Sequence, residues 1–193
     1  YSPFVLVLSF IFLGDRLNLL QWCGFVLVSI GVLLASKPNA AEAGEDEESF
    51  TDRLAAELDK AIQEAGPETI GAMIAEPMSV SAGMFPPPAS YFPKITRVLR
   101  NFGIQLFADE VVTGFGRSGR MWATEAMGLE PGCMTCGKGI SGAYMPIAGI
   151  IMGEEFNRRI DIGNEAKGWF AHGATHHAHV VSAAVALEVL NIF

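Results

Sequence analysis

The sequence predicts an α/β fold, a mostly parallel sheet flanked by helices over residues 50–193, preceded by an α-helical transmembrane hairpin over residues 1–36. Three observations carry this. Short apolar runs alternate with helical periodicities after Phe50, the pattern of a sheet covered on both faces. Leu17 to Ser36 is a twenty-residue stretch without a charge, the length that spans a bilayer as a helix. Between them, KPNAAEAGEDEES (37–49) is an acidic linker that cannot bury a core.

The first part begins with a ten-residue apolar run, Phe4 to Leu13, too short to span alone. Gly14-Asp15-Arg16 joins it to the longer run, which fits a helical hairpin. A secretory signal fits less well, because no basic residue precedes Arg16. A buried core helix is the other alternative. The charged share is 18%, below the roughly 25% of ordinary soluble domains, which makes the chain unusually apolar.

In the second part, TDRLAAELDKAIQEAG reads as a helix with Leu54, Leu58, Ala61 and Ile62 on one face, a cap at Thr51 or Asp52, and a stop at Gly66. IGAMIAE (70–76) reads as a strand, and Pro86-Pro87-Pro88 as a loop. SYFPKITRVLRNFG (90–103) is a helix with Ile95, Val98 and Leu99 facing inward. IQLFADE (104–110), CMTCGK (133–138) and IAGIIMG (147–153) read as further strands, and residues 180–193 as a closing helix.

The net charge of −8 excludes the basic face that a nucleic-acid binder needs. Three cysteines do not make a disulfide framework, so a reducing compartment is expected. Cys133 and Cys136 have the spacing of a zinc or redox pair, and His172, His176, His177 and His179 lie downstream. The pair sits inside a strand that leads to Lys138, so no metal site is expected.

Three strands end in chemistry-bearing residues: Glu76, Asp109 and, two positions beyond the third strand, Lys138. Ligands of open α/β sheets bind at the carboxyl ends of strands, so these residues are expected at one edge. The GxxxxGK pattern of a phosphate-binding loop is absent before Lys138. A surface charge and a phosphate clamp remain open for such a lysine. A Schiff-base lysine for pyridoxal phosphate is the third reading, with an acid at the ring nitrogen.

FADEVVTGFGRSG (107–119) and PGCMTCGKGISGAYMPIAGIIM (131–152) closely resemble class III pyridoxal-phosphate aminotransferases, nearest the ω-amino acid or amine:pyruvate branch. AEPMSVSAGMFPPPASYFPKI (75–95) and HGATHHAHVVSAAVALEVL (172–190) match flanking segments in the right order. The resemblance implies a fragment of the fold-type I large domain. It implies Lys138 as Schiff-base lysine and proton shuttle, Asp109 as the pyridinium partner, and Val111 on one face of the ring. Val112 falls near the phenolic oxygen, and Glu76 in the hydrogen-bond network of the EP motif. Thr175 matches a hydroxyl that reaches the phosphate in the neighbouring subunit, which implies a homodimer. Ser81 replaces an acid found in ornithine-type relatives. Phe115-Gly116-Arg117 reads as a structural turn.

The implied activity is transfer of an amino group from an amine or ω-amino acid to a keto acid such as pyruvate. The family's phosphate loop and small domain have no counterpart in the sequence, implying a fusion, a partial or wrongly joined chain, or a degraded enzyme. The hairpin resembles the last two helices of EamA-type drug/metabolite transporters, through Leu13-Gly14-Asp15, Gln21, Gly24 and Gly31. That resemblance implies membrane insertion with the enzyme domain on the cytoplasmic side, or a cytoplasmic protein if the junction is an artefact. The alternatives are a transporter fragment with an inactive passenger, and a pyridoxal-phosphate aminomutase.

Overall fold

The computed structural model describes residues 41–42, 44–80, 82–167, 173, 175 and 177–193. The expected hairpin over residues 1–36 lies outside the described residues. Among the described residues no helix is long and apolar enough to cross a membrane. Asp46–Phe193 form one compact unit, and the elements below belong to it.

Helix α1 spans Glu47–Ala65 and begins a turn earlier than the sequence suggested. Its cap is Asp46, whose side chain accepts from the Ser49 backbone N–H, so Thr51 and Asp52 lie inside the helix. The end of the acidic stretch read as linker is therefore helical. Glu47 and Glu48 in the first turn oppose the positive end of the helix dipole, which favours helix there over a repelling coil. Gly66, at φ +86°, closes the helix as expected.

Strand β1 (Ala72–Ala75), helix α2 (Tyr91–Asn101) and strand β2 (Gln105–Asp109) follow. Phe92, Ile95, Val98 and Leu99 on α2 are buried along one face, as their spacing requires. They pack with Ala55 and Ile62 of α1 and Leu106 of β2 into the core. A short helix α3 (Ala123–Ala126), strand β3 (Cys133–Cys136) and strand β4 (Gly149–Met152) complete the sheet. Helix α4 (Glu154–Lys167) lies beyond the four expected strands, and α5 (Val180–Leu190) closes the chain.

The strand order is β1-β2-β3-β4. The first three pair in parallel and β4 is antiparallel to β3, so the sheet is mixed. The antiparallel edge fits the connection: β3 reaches β4 without an α-helix, the usual crossover between parallel strands, and with only a short 3-10 turn at Lys138–Ser141. Adjacent β2 residues face opposite sides, and both sides are covered. Leu106 joins the core under α1 and α2, while Phe107 meets Phe156 of α4 edge to face at 4.9 Å.

Lys94 fixes α2 to α1. Its Nζ lies 2.6 Å from both Glu48 Oε1 and Asp52 Oδ1 and donates to the Glu48 carbonyl at 3.0 Å. Desolvation pulls the Lys94 pKa down, but hydrogen bonds to Asp52 and Glu48 outweigh it and raise it above the ordinary lysine value. The hydrogen bond from Lys94 is the largest influence holding Glu48 below the ordinary glutamate value. The Glu48 contribution is present above the ordinary carboxylate range and is lost as pH falls through the depressed value. The Lys94 contribution is present below the ordinary lysine range and is lost as pH rises through the raised value. Urea midpoints measured against pH should therefore decline on both limbs. Lys94→Met should flatten both declines, and unchanged limbs in that variant would contradict the clamp.

Candidate active site

Parallel pairing delivers the predicted residues to one edge. Ala75 of β1 stands opposite Ala108 of β2, so Glu76 follows β1 beside the Asp109 end of β2. Asp109 in turn stands opposite Thr135 of β3, which ends at Cys136 and leads through Gly137 to Lys138. The carboxyl ends of the three parallel strands thus carry Glu76, Asp109 and Lys138, as the alternation of strands and helices suggested.

Asp109 is half-buried and held by its neighbours. Its Oδ1 accepts from the Val111 backbone N–H at 3.0 Å and from the Thr135 hydroxyl at 3.2 Å. Both bonds fall on one oxygen. Oδ2 accepts none among the described residues and is the oxygen available to a ligand. Thr135 was not singled out in the sequence; the signal for it is the register, visible only once β2 and β3 are paired. Glu76 Oε2 accepts from the Val80 backbone N–H at 2.8 Å, which folds the segment after β1 back on itself.

Lys138 is exposed and opens the 3-10 turn Lys138–Ser141. Its φ is +43°, a left-handed conformation that side-chain-bearing residues rarely adopt. Such strain is a mark of functional positions. Val111 is half-buried beside Gly137: a Cβ built on Gly137 would lie 3.5 Å from Val111 Cγ1. Val112 is half-buried in the following turn. Thr175 lies in an exposed turn before α5, and no contact among the described residues brings it to the strand edge. Ser81, His172 and His176 fall outside the described residues. His179 caps α5, its Nδ1 accepting from the Ser182 N–H at 3.2 Å.

Cys133 and Cys136 are free and buried in β3, and burial is the main cause of a raised pKa in both thiols. Among the described residues no group of three or more His, Cys, Asp or Glu could hold a metal ion.

Glu110, next to Asp109, points to the opposite side and is fully buried. Its Oε1 accepts from the Thr124 N–H at 2.7 Å and its Oε2 from the Thr113 hydroxyl at 2.5 Å. One carboxylate therefore ties both ends of the loop between β2 and α3. The sequence carried a signal for this, since an acid on the inward face of a buried strand must find donors. Phe115-Gly116-Arg117 is the turn in that loop. Phe115, at φ +59° and 6% exposed, packs against Trp122 with ring centroids 4.8 Å apart.

The donor set fits pyridoxal phosphate. An exposed lysine and a fixed carboxylate with one open oxygen share a sheet edge, and Val111 supplies an apolar surface between them.

A family model, aminotransferase class-III, matches residues 24–193, beginning inside the second apolar run. An uncharacterised aminotransferase of Sinorhizobium fredii is 43% identical over 152 residues, covering 79% of this chain and 32% of that protein. The chloroplastic gamma aminobutyrate transaminase 3 of Solanum lycopersicum is 43% identical over 152 residues, 79% of this chain and 29% of that protein. The omega transaminase of Pseudomonas jessenii, solved in complex with PMP, superposes with a TM-score of 0.76 at 44% identity, covering 79% of this chain and 34% of that one. The chain spans about a third of the length of the curated relatives it matches.

Glu110→Ala should lower stability by about 2–4 kcal/mol, because it strands the Thr124 N–H and the Thr113 hydroxyl in the interior. Glu110→Gln keeps one acceptor and the volume, and should cost less than half as much. Equal losses in urea unfolding of the two variants would contradict the bonding described.

Proposed function

We propose that this chain, which belongs to the class-III aminotransferase family, forms the pyridoxal 5′-phosphate edge of a transaminase. The reaction is transfer of an amino group from an amine or ω-amino acid to a keto acid such as pyruvate. The observation that carries it is the placement of Asp109 and a strained Lys138 on adjacent parallel strand ends. The gamma aminobutyrate and omega transaminases among its relatives support an ω-amine donor.

When bound, the cofactor supplies an electron sink for the carbon that loses a proton. Lys138 Nζ would hold it covalently, and its freed amine would move a proton between the substrate carbon and the cofactor carbon. Asp109 Oδ2 would meet the ring nitrogen and keep it protonated. The hydrogen bonds from Thr135 and the Val111 N–H both fall on Oδ1 and leave Oδ2 open among the described residues. Val111 would pack on one ring face, Val112 would give an apolar contact near the phenolic oxygen, and Glu76 stiffens the segment after β1. Thr175, unengaged at its own strand edge among the described residues, serves the phosphate of a second subunit in a homodimer.

Borohydride reduction of the full chain with pyridoxal phosphate, followed by peptide mapping, tests this. A single label on Lys138 is expected, with none at that peptide in Lys138→Ala. Labels scattered over several lysines, or no label, would overturn the reading.

A further inference from the structure

The turn that presents Lys138 is braced from behind. A Cβ built on Gly139 would lie 2.8 Å from Phe115 Cβ and 3.1 Å from its Cδ2. Backbone meets the root of a side chain here, and neither can swing aside. Phe115 cannot recede, because its ring lies against Trp122 and, at 5.9 Å, against Phe193. Its backbone is fixed as well: its N–H donates to the Met121 carbonyl at 2.7 Å. Behind that, Gly114 admits no side chain, since its Cβ would meet the Glu110 carbonyl and the Trp122 ring, each at 2.8 Å. The loop carrying Phe115 is closed by the buried Glu110.

Two residues with side chains, Phe115 and Lys138, thus hold left-handed conformations on either side of one contact. A bulky residue keeps such a conformation only where the surroundings over-determine it.

We propose that Phe115 is a positioning residue for Lys138: wedged against Gly139, it keeps the Lys138 turn from relaxing to ordinary backbone geometry. This deepens the reading of Lys138 as the cofactor lysine and rests on it. Phe115 acts through the backbone of Gly139.

The test uses no cofactor, so its failure and the failure of borohydride trapping are distinct results. The full chain is exposed to a lysine-specific protease, and initial cleavage rates after Lys138, Lys60 and Lys94 are read by mass, each normalised to the urea-unfolded chain. Such rates follow the population of locally opened chain. Phe115→Ala should raise cleavage after Lys138 roughly tenfold and leave Lys60 and Lys94 within about twofold. Gly139→Ala should give the same selective rise, because it forces the two segments apart. In a Phe115→Gly background the Gly139→Ala change should add little, since the contact it disrupts is already gone. An equal rise at all three lysines would make Phe115 an ordinary core residue and overturn the proposal. So would no rise at Lys138, or effects of the two substitutions that simply add.

Discussion

Parallel pairing of β2 with the strand on each side of it is the constraint on which the rest depends. Ala72 to Ala75 run beside Gln105 to Ala108, and Phe107 to Asp109 run beside Cys133 to Thr135. Parallel strands end on the same side, so three loops leave from one edge and their first residues meet there. A shift of β2 by one residue would turn Asp109 to the side that Glu110 occupies. Burial opposes that shift, because Ala108 is 1% exposed and Glu110 is fully buried with specific donors. The acid pair Asp109-Glu110 thereby divides its labour by parity: one carboxylate faces the open edge and the other closes the loop behind it.

Much of this was legible in the sequence where periodicity is strong. The face of α2 was readable because Ile95, Val98 and Leu99 recur at helical spacing, and Leu99 and Ile95 are indeed nearly inaccessible. The strand ends were readable because each apolar run stops at a charged residue or a glycine. The start of α1 was not, since acidic residues suit both a solvated linker and a first helical turn, and the long-range bond between Lys94 and Glu48 that adds to the Asp46 cap is not visible in the local sequence. Helix α4 escaped for a related reason: it is weakly amphipathic, and its local support is Glu155 paired with Arg158 and Arg159, a pattern equally at home on any charged surface. Those two arginines, through hydrogen bonds, hold the Glu155 carboxyl down at about 2.

Two residues of the proposed site, Asp109 and Lys138, were legible in the sequence, and the groups that support them were not. Asp109 and Lys138 follow from where strands end. Thr135, the hydroxyl that fixes Asp109, needs the register of two strands far apart in sequence. The left-handed backbone of Phe115 and Lys138 needs coordinates, because neither residue type announces it. Strain concentrates at this corner of the fold: Phe115, Lys138 and Ala143 all lie at positive φ within loops that leave the same edge. The chain covers about a third of the transaminases it resembles, and that third contains the strand ends, the lysine and the loop behind it.

Asp109 and Lys138 are proposed to form one cofactor site. Thermal unfolding of the full chain with and without pyridoxal phosphate tests it most directly, because a ligand that binds only the folded state raises its midpoint. A rise is expected in the wild-type chain, a smaller one in Asp109→Asn, and the smallest in Lys138→Ala. An equal rise in all three, or none in the wild type, would contradict it.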